Sequence, residues 1–258
     1  MHFVKRGHGA PPLLFVHGFA CDHEDWRHQV RAFSPLHETV ACDLRGHGAT
    51  PGRPHECSIE HYGGDVAALL ASLDIPEAVL VGHSMGCRVV LEANRLAPER
   101  VAGIVLIDGS RLGSGDPEAA EAAARAAIER AGYAAFAEDL FRQMFLRPSP
   151  QADAIVERAL RTSAGFGAEL WVRMARWSAA MHDAALDAVR APLLAIQSTM
   201  LDAGMRRVAM REGDTSPWLE SLKGRGARVE IVPDTGHFTM LEAPERVNEL
   251  IGAFVERL

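Results

Sequence analysis

The sequence predicts an α/β fold: a mostly parallel central sheet flanked by helices, with a helical cap inserted into it. Three observations carry that prediction. Short, near-continuous apolar runs rich in β-branched residues recur along the chain, as strands buried on both faces require. Stretches of helical composition separate them, which is the alternation of a parallel sheet. After Asp108 the alternation stops, and a long Ala-, Glu- and Arg-rich stretch follows before it resumes.

The elements follow in order. Phe3 to Arg6 is one edge strand, and Pro12-Leu13-Leu14-Phe15-Val16 is a central strand breaking into a loop at His17-Gly18-Phe19. Asp25 to Phe33 has helical composition. Glu38 to Asp43 is a second strand, followed by the loop Leu44-Arg45-Gly46-His47-Gly48. Ile59 to Leu73 is a helix in spite of Gly63-Gly64, which cost it stability. Ala78 to Val81 is a strand, 85–97 a helix, and Val101 to Asp108 a strand. From Asp116 to about Ala185 no strand is expected; aromatics stand at Tyr133, Phe136, Phe141, Phe145, Phe166, Trp171 and Trp177. Pro192 to Gln197 and Ala227 to Val232 resume the sheet, and Pro244 to Leu258 is a final helix. The expected division is a core of 1–112 and 186–258, with 113–185 as the cap inserted after the strand ending at Asp108.

Composition excludes several function classes. At 258 residues, with 48% hydrophobic and 24% charged residues, the chain has the make-up of an ordinary globular protein with a sizeable core. A net charge of −7 without a basic cluster argues against a nucleic-acid partner. No apolar run is long enough to span a membrane, and Met1 to Arg6 lacks a signal-peptide layout, so a cytoplasmic protein is expected. Cys21, Cys42, Cys57 and Cys87 form no C-x-x-C pair and are expected as reduced, partly buried thiols. No pair among the 12 histidines has metal-ligand spacing with a carboxylate context, so neither metal nor cofactor is expected. Oligomeric state stays open.

The stretch with chemistry in it is Gly82-His83-Ser84-Met85-Gly86, a G-x-S-x-G pattern between an apolar strand and a helix. A strand that reverses sharply into a helix brings backbone against backbone, which leaves no room for Cβ atoms beside the bend. Such a turn exposes the serine Oγ. It also aims the Met85 N–H at the site, where it can donate to a developing oxyanion.

Four features in order resemble the α/β-hydrolase fold superfamily, in its serine-nucleophile, carboxylesterase-like branch, from about residue 11 to the C-terminus. They are His17-Gly18-Phe19, Asp43 to Gly48, Gly82 to Gly86, and Asp234-Thr235-Gly236-His237-Phe238. The resemblance implies Ser84 as nucleophile, His237 as its base and the Phe19 N–H as second oxyanion donor. Cys87 stands where many relatives have another glycine. A serine needs a base to accept its proton during attack, and the base needs a carboxylate to fix its tautomer. Two positions for that acid remain. The commoner family position follows the strand 192–197, where this chain reads Gln197-Ser198-Thr199-Met200-Leu201-Asp202 without the usual glycine and with the aspartate displaced. Asp108, at the end of the preceding strand, is the family's other position and is favoured over Asp202. His17, His83 and His47 read as loop-shaping residues, and Asp43 and Asp234 as turn residues.

A pocket above Ser84 is expected from His17, Gly18, Trp26, His83, Trp218 and Phe238, with Phe19 and the cap aromatics closing it. Arg111, Arg206 and Arg207 are candidates to receive an acidic substrate group, although solvated surface charge is the reading favoured for them. The function expected is hydrolysis of a small to medium carboxylic ester or related acyl compound. Two alternatives remain: a cofactor-independent dioxygenase or C–C bond cleaving enzyme using a His237/Asp108 dyad, and a non-catalytic small-molecule binder. Dehalogenase and epoxide hydrolase chemistry is disfavoured because relatives of those kinds carry an aspartate where Ser84 stands.

Overall fold

The computed structural model describes residues 1–202, 204 and 206–258. Seven strands form the main sheet, beginning with β1 (Phe3–Arg6), β2 (Leu13–Val16) and β3 (Thr39–Cys42). A 3₁₀ turn at His23–Trp26 leads into α1 (Arg27–Phe33) between β2 and β3. Then come α2 (Ile59–Ser72), β4 (Ala78–His83), α3 (Met85–Leu96) and β5 (Val101–Ile107). β1 pairs antiparallel with β3, whereas the β2–β3, β2–β4 and β4–β5 pairs are parallel. Every residue of β2, β3 and β4 is buried, as their unbroken apolar runs require of strands covered on both sides.

Five helices separate β5 from the next strand: α4 (Pro117–Ala131), α5 (Tyr133–Arg142), α6 (Pro150–Leu160), α7 (Ala164–Ala180) and α8 (His182–Asp187). Their starts are written in the sequence. Asp116 accepts from the Glu118 and Ala119 N–H groups ahead of Pro117, and the Ser149 hydroxyl accepts from Ala152 ahead of Pro150. α8 packs on α3 and so lies against the core. The sheet resumes with β6 (Leu193–Gln197), paired parallel to β5. A short antiparallel hairpin follows, β7 (Thr199–Leu201) and β8 (Arg207–Ala209), which the sequence reading had not separated from loop. α9 (Pro217–Lys223), β9 (Arg228–Ile231), α10 (Thr239–Glu242) and α11 (Pro244–Val255) complete the chain. The strand order is β1-β3-β2-β4-β5-β6-β9.

Two glycines fix which helices cover which face. A Cβ at Gly82 would lie 2.4 Å from the Gly86 carbonyl oxygen, so Gly82 faces α3. Gly82 pairs with Leu106, and three residues back on β5 a Cβ at Gly103 would lie 2.9 Å from the Phe254 ring of α11. An odd offset along a strand changes face, so α3 and α11 cover opposite sides of the sheet. Among the described residues no helix is long and apolar enough to cross a membrane.

Candidate active site

Ser84 stands between the end of β4 and the first turn of α3 with φ 55° and ψ −112°, a left-handed conformation costly for a serine. The tight bend depends on small neighbours. A Cβ at Gly86 would sit 2.2 Å from the Val16 carbonyl oxygen, and one at Gly18 would sit 3.2 Å from the Ser84 Cβ. The loop after β2 therefore lies directly on the serine. Asp108, following the neighbouring strand, also has positive φ, 46°. Both side chains are presented at the carboxyl end of the sheet, where parallel sheets gather their functional groups.

His237 comes from the loop between β9 and α10. Its N–H donates to the Met144 carbonyl at 2.7 Å, and its own carbonyl accepts from His83 Nε2 at 2.9 Å. Its Nδ1 lies 3.9 Å from Asp108 Oδ1, within ion-pair range and beyond hydrogen bonding. Neither ring nitrogen has a hydrogen-bond partner, so neither a Ser84–His237 nor a His237–Asp108 hydrogen bond is formed. Burial, with the Arg207 charge adding to it, pushes the imidazole down to about 3 and keeps it neutral.

Asp108 is fully buried and held from several sides. Its Oδ1 accepts from the Ser198 N–H at 3.2 Å, the Thr199 N–H at 3.0 Å and the Thr199 hydroxyl at 2.9 Å. Its Oδ2 meets the hydroxyls of Ser198, at 2.5 Å, and Thr239. Burial pushes the carboxyl up, but His237 and these hydroxyls outweigh it and hold the group at about 2. Asp202, the alternative acid, is exposed, and its Oδ1 accepts from Gly204 and Arg206 N–H in its own loop. The structure thus brings Ser84, His237 and Asp108 together and turns Asp202 to another task. Ser198, Thr199 and Thr239 were missed by sequence reasoning. Their signal was the hydroxyl pair Ser198-Thr199 standing where the family's usual acid segment would be.

A cavity of about 660 Å³ opens over Ser84, lined by Gly18, Phe19, His83, His237 and Phe238. Phe136, Phe141 and Trp171 from α5 and α7 and the alanines of α4 form its far wall. The Phe19 and Met85 N–H groups donate to no carbonyl or side chain among the described residues. Three expected pocket residues lie outside its wall. His17 is consumed by the loop: its Nδ1 donates to the Gly18 carbonyl at 2.8 Å and its Nε2 accepts from the Leu44 N–H at 3.0 Å. Trp26 is fully buried against Phe15, ring centroids 5.1 Å apart. Trp218 packs on His182 at 4.9 Å and under Gly109. In each case the ring is engaged by other residues away from the cavity. Of the arginines, Arg111 pairs with Asp183 at 2.9 Å, Arg206 is exposed, and Arg207 lines the cavity together with Arg88, which the sequence reading had passed over.

His2, His23 and Asp43 place one possible metal-ligating atom each within 4.8 Å of one another. Both Nδ1 atoms are already 2.8 Å from the Asp43 oxygens, and Asp43 also accepts from the His23 and Ala49 N–H groups. That leaves no gap for an ion between them, and the carboxylate serves its loop. Asp43, read as a turn residue, is the hub of that loop.

Residues 13–250 match the alpha/beta hydrolase family. Among curated proteins, the dihydrolipoyllysine-residue acetyltransferase component of the acetoin cleaving system of Pseudomonas putida is 29% identical over 99% of this chain and 66% of its own length. Epoxide hydrolase 2 of Siraitia grosvenorii is 37% identical over 41% of this chain and 34% of its own. The chain therefore spans less than two thirds of these curated relatives. Among solved structures, a thermophilic esterase from Thermogutta terrifontis is 25% identical, with a TM-score of 0.78 over 99% of this chain and 93% of the esterase.

Proposed function

The chain belongs to the alpha/beta hydrolase family, and within it we propose a serine hydrolase that cleaves a small to medium carboxylic ester, or a related acyl compound, through a Ser84 acyl-enzyme. The observation that carries this reading is the serine at a strained strand-to-helix bend, sharing one cavity with a buried neutral imidazole that has a carboxylate on its far side. Residues 113–185, in this reading, act as a cap that closes an apolar chamber over the serine.

The chemistry follows from the geometry. As Ser84 Oγ attacks the acyl carbon, His237 Nε2 takes its proton, and Asp108 stabilises the imidazolium that forms. The carbonyl oxygen, now negative, accepts from the Phe19 and Met85 N–H groups, which carry no competing bond. Collapse of this intermediate expels the alcohol, which receives the proton from His237. Water then attacks the acyl-enzyme with His237 again as base, releasing the acid and restoring Ser84. Ser84 also separates this reading from epoxide opening, for which an aspartate is expected at that position.

The test is covalent labelling by a fluorophosphonate that phosphonylates activated serines, with the added mass located by peptide mapping. Labelling of Ser84 in the native protein and its loss in His237→Ala are expected. A folded native protein whose Ser84 stays unlabelled would sink the acyl-enzyme. Turnover retained in Ser84→Ala but lost in His237→Ala would point to the dyad chemistry instead.

A further inference from the structure

Two guanidinium groups line the cavity over Ser84, and neither has a carboxylate partner among the described residues. Arg88 is four residues beyond Ser84 on α3 and is buried, 3% exposed. It is bound by neutral oxygens alone: Nε donates to the Ser178 hydroxyl at 2.9 Å, Nη2 to the Ser110 carbonyl at 2.6 Å, and Nη1 to the Ser84 carbonyl at 3.4 Å. Arg207, the first residue of β8, makes one side-chain bond, from Nη1 to the Thr199 hydroxyl at 2.9 Å. No aspartate or glutamate among the described residues comes within 4.0 Å of either, whereas Arg45, Arg95, Arg111, Arg158 and Arg225 each have such a partner. Ala203 and Met205, which lie outside the described residues, carry no charge.

A charge removed from water without a counter-charge is unfavourable, and here two like charges share one chamber. Burial lowers Arg88 to about 10, and the nearby Arg207 charge pushes it the same way. Two carboxylates stand nearby. Asp139 is exposed on α5 at the rim of the cavity. Asp108 is reached from Arg207 only through the Thr199 hydroxyl and is engaged with His237 and its own hydroxyls. Apart from Ser110, Ser114, Gln143 and the His83, Ser84 and His237 side chains, the rest of the wall is apolar, from the alanines of α4 to Leu140 and Trp171.

We propose that the acyl substrate carries a carboxylate remote from the scissile carbonyl, held by Arg207 and Arg88 while its aliphatic part lies along α4. The planar fork of a guanidinium matches a carboxylate. The inference rests on the acyl-hydrolase reading for its reaction, but its binding component stands apart from turnover.

Its test compares monoethyl succinate, glutarate and adipate with ethyl butyrate, valerate and hexanoate, following release of ethanol. At least one half-ester is expected to exceed its neutral counterpart tenfold or more in kcat/KM. That ratio should fall at least tenfold in Arg207→Met and be partly restored in Arg207→Lys, with melting temperatures confirming that both variants fold. A merely structural role for Arg207 would lower both substrates alike and leave the ratio unchanged. Neutral esters preferred by the native protein, or a ratio that survives Arg207→Met, would overturn the inference while leaving the hydrolase reading in place. Calorimetry on Ser84→Ala reads binding without turnover: succinate, glutarate or adipate should bind at least tenfold more tightly than its diamide, and Arg207→Met should abolish the difference. Equal binding of acids and diamides overturns the inference whether or not any ester is hydrolysed. Preferential binding of an acid without hydrolysis of any ester would keep the carboxylate site and count against the acyl-enzyme.

Discussion

The Thr199 hydroxyl donates to Asp108 Oδ1 at 2.9 Å while accepting from Arg207 Nη1 at the same distance. One hydroxyl therefore links the candidate triad acid to the cavity wall. The segment that follows β6 supplies donors, from Ser198 and Thr199, to the Asp108 carboxylate just after β5. Gln197 completes the arrangement, its Nε2 bonding to the Gly109 carbonyl at 3.0 Å beside the carboxylate.

If Asp108 is the acid, Asp108→Asn should leave a folded protein whose kcat/KM falls by about 10³- to 10⁴-fold, because the imidazole loses both its preferred tautomer and the charge that stabilises its protonated form. Asp202→Asn should stay within about threefold of native, since its carboxylate serves its own loop. Ester turnover in the two variants decides between them. The reverse ranking would return the role to Asp202.

What could be read from sequence follows a physical division. The strands of the parallel sheet were legible because burial on both faces forces apolar runs such as Leu13 to Val16 and Val79 to Val81. The bend at Ser84 was legible because its glycines answer a steric demand local in sequence. The β7–β8 hairpin was not legible: its strands are three residues each and carry Thr199 and Arg207, with no apolar period to follow. Trp26 and Trp218 were assigned to the pocket because an aromatic ring's side of the sheet depends on tertiary packing, which no local pattern records. Arg88 had a usable signal: a basic residue one helical turn after the serine shares its face of α3.

Stability should fall with acid well before the carboxylates titrate. His47 is lowered to about 4 by burial, and His182 and His237 to about 3; His17 and His83 are lowered for the same reason. These groups stay neutral in the folded chain, while the unfolded chain binds their protons below the ordinary 6.5. Between that value and each folded value the unfolded state holds more protons, so lowering pH favours unfolding, by about 1.4 kcal/mol per pH unit for each imidazole. Asp43 and Asp108, held at about 2, extend the loss as pH drops below 3.8. Urea unfolding from pH 7 to 5 should show the first part. His182→Leu, away from the cavity, should flatten the slope by one imidazole's share, and a flat native profile over that range would refute the assignment.

Arg158 on α6 reaches across to the turn before α1, with Nη2 at 2.6 Å from Asp25 Oδ2 and Nη1 at 3.1 Å from Asp22 Oδ1. Asp25 is 2% exposed, so removing the guanidinium strands a buried carboxylate. Arg158→Met should cost about 3 kcal/mol, and adding Asp25→Asn should recover much of it by removing the orphaned charge. A double-mutant cycle in urea measures the coupling. Additive losses in that cycle would show that the two side chains act independently.

The adjacent glycines of α2 look equivalent in sequence, each a weak point in a helix, yet they have opposite surroundings. A Cβ at Gly63 would lie 2.5 Å from Glu92 Cγ and 3.0 Å from the Ala93 nitrogen, so this glycine lets α2 and α3 approach closely. Glu92 cannot retreat freely, because both its oxygens are held by Arg95 at 2.7 and 2.9 Å. At Gly64 no atom lies within 4 Å of the added carbon. Gly64→Ala should therefore stabilise the protein by about 0.5–1 kcal/mol through helix propensity alone. Gly63→Ala gains the same propensity but forces the helices apart, and a net loss of about 1–3 kcal/mol is expected. Thermal unfolding of the two variants measures the difference. If both alanines stabilise, the close approach of α2 to α3 is not tight enough to require a glycine.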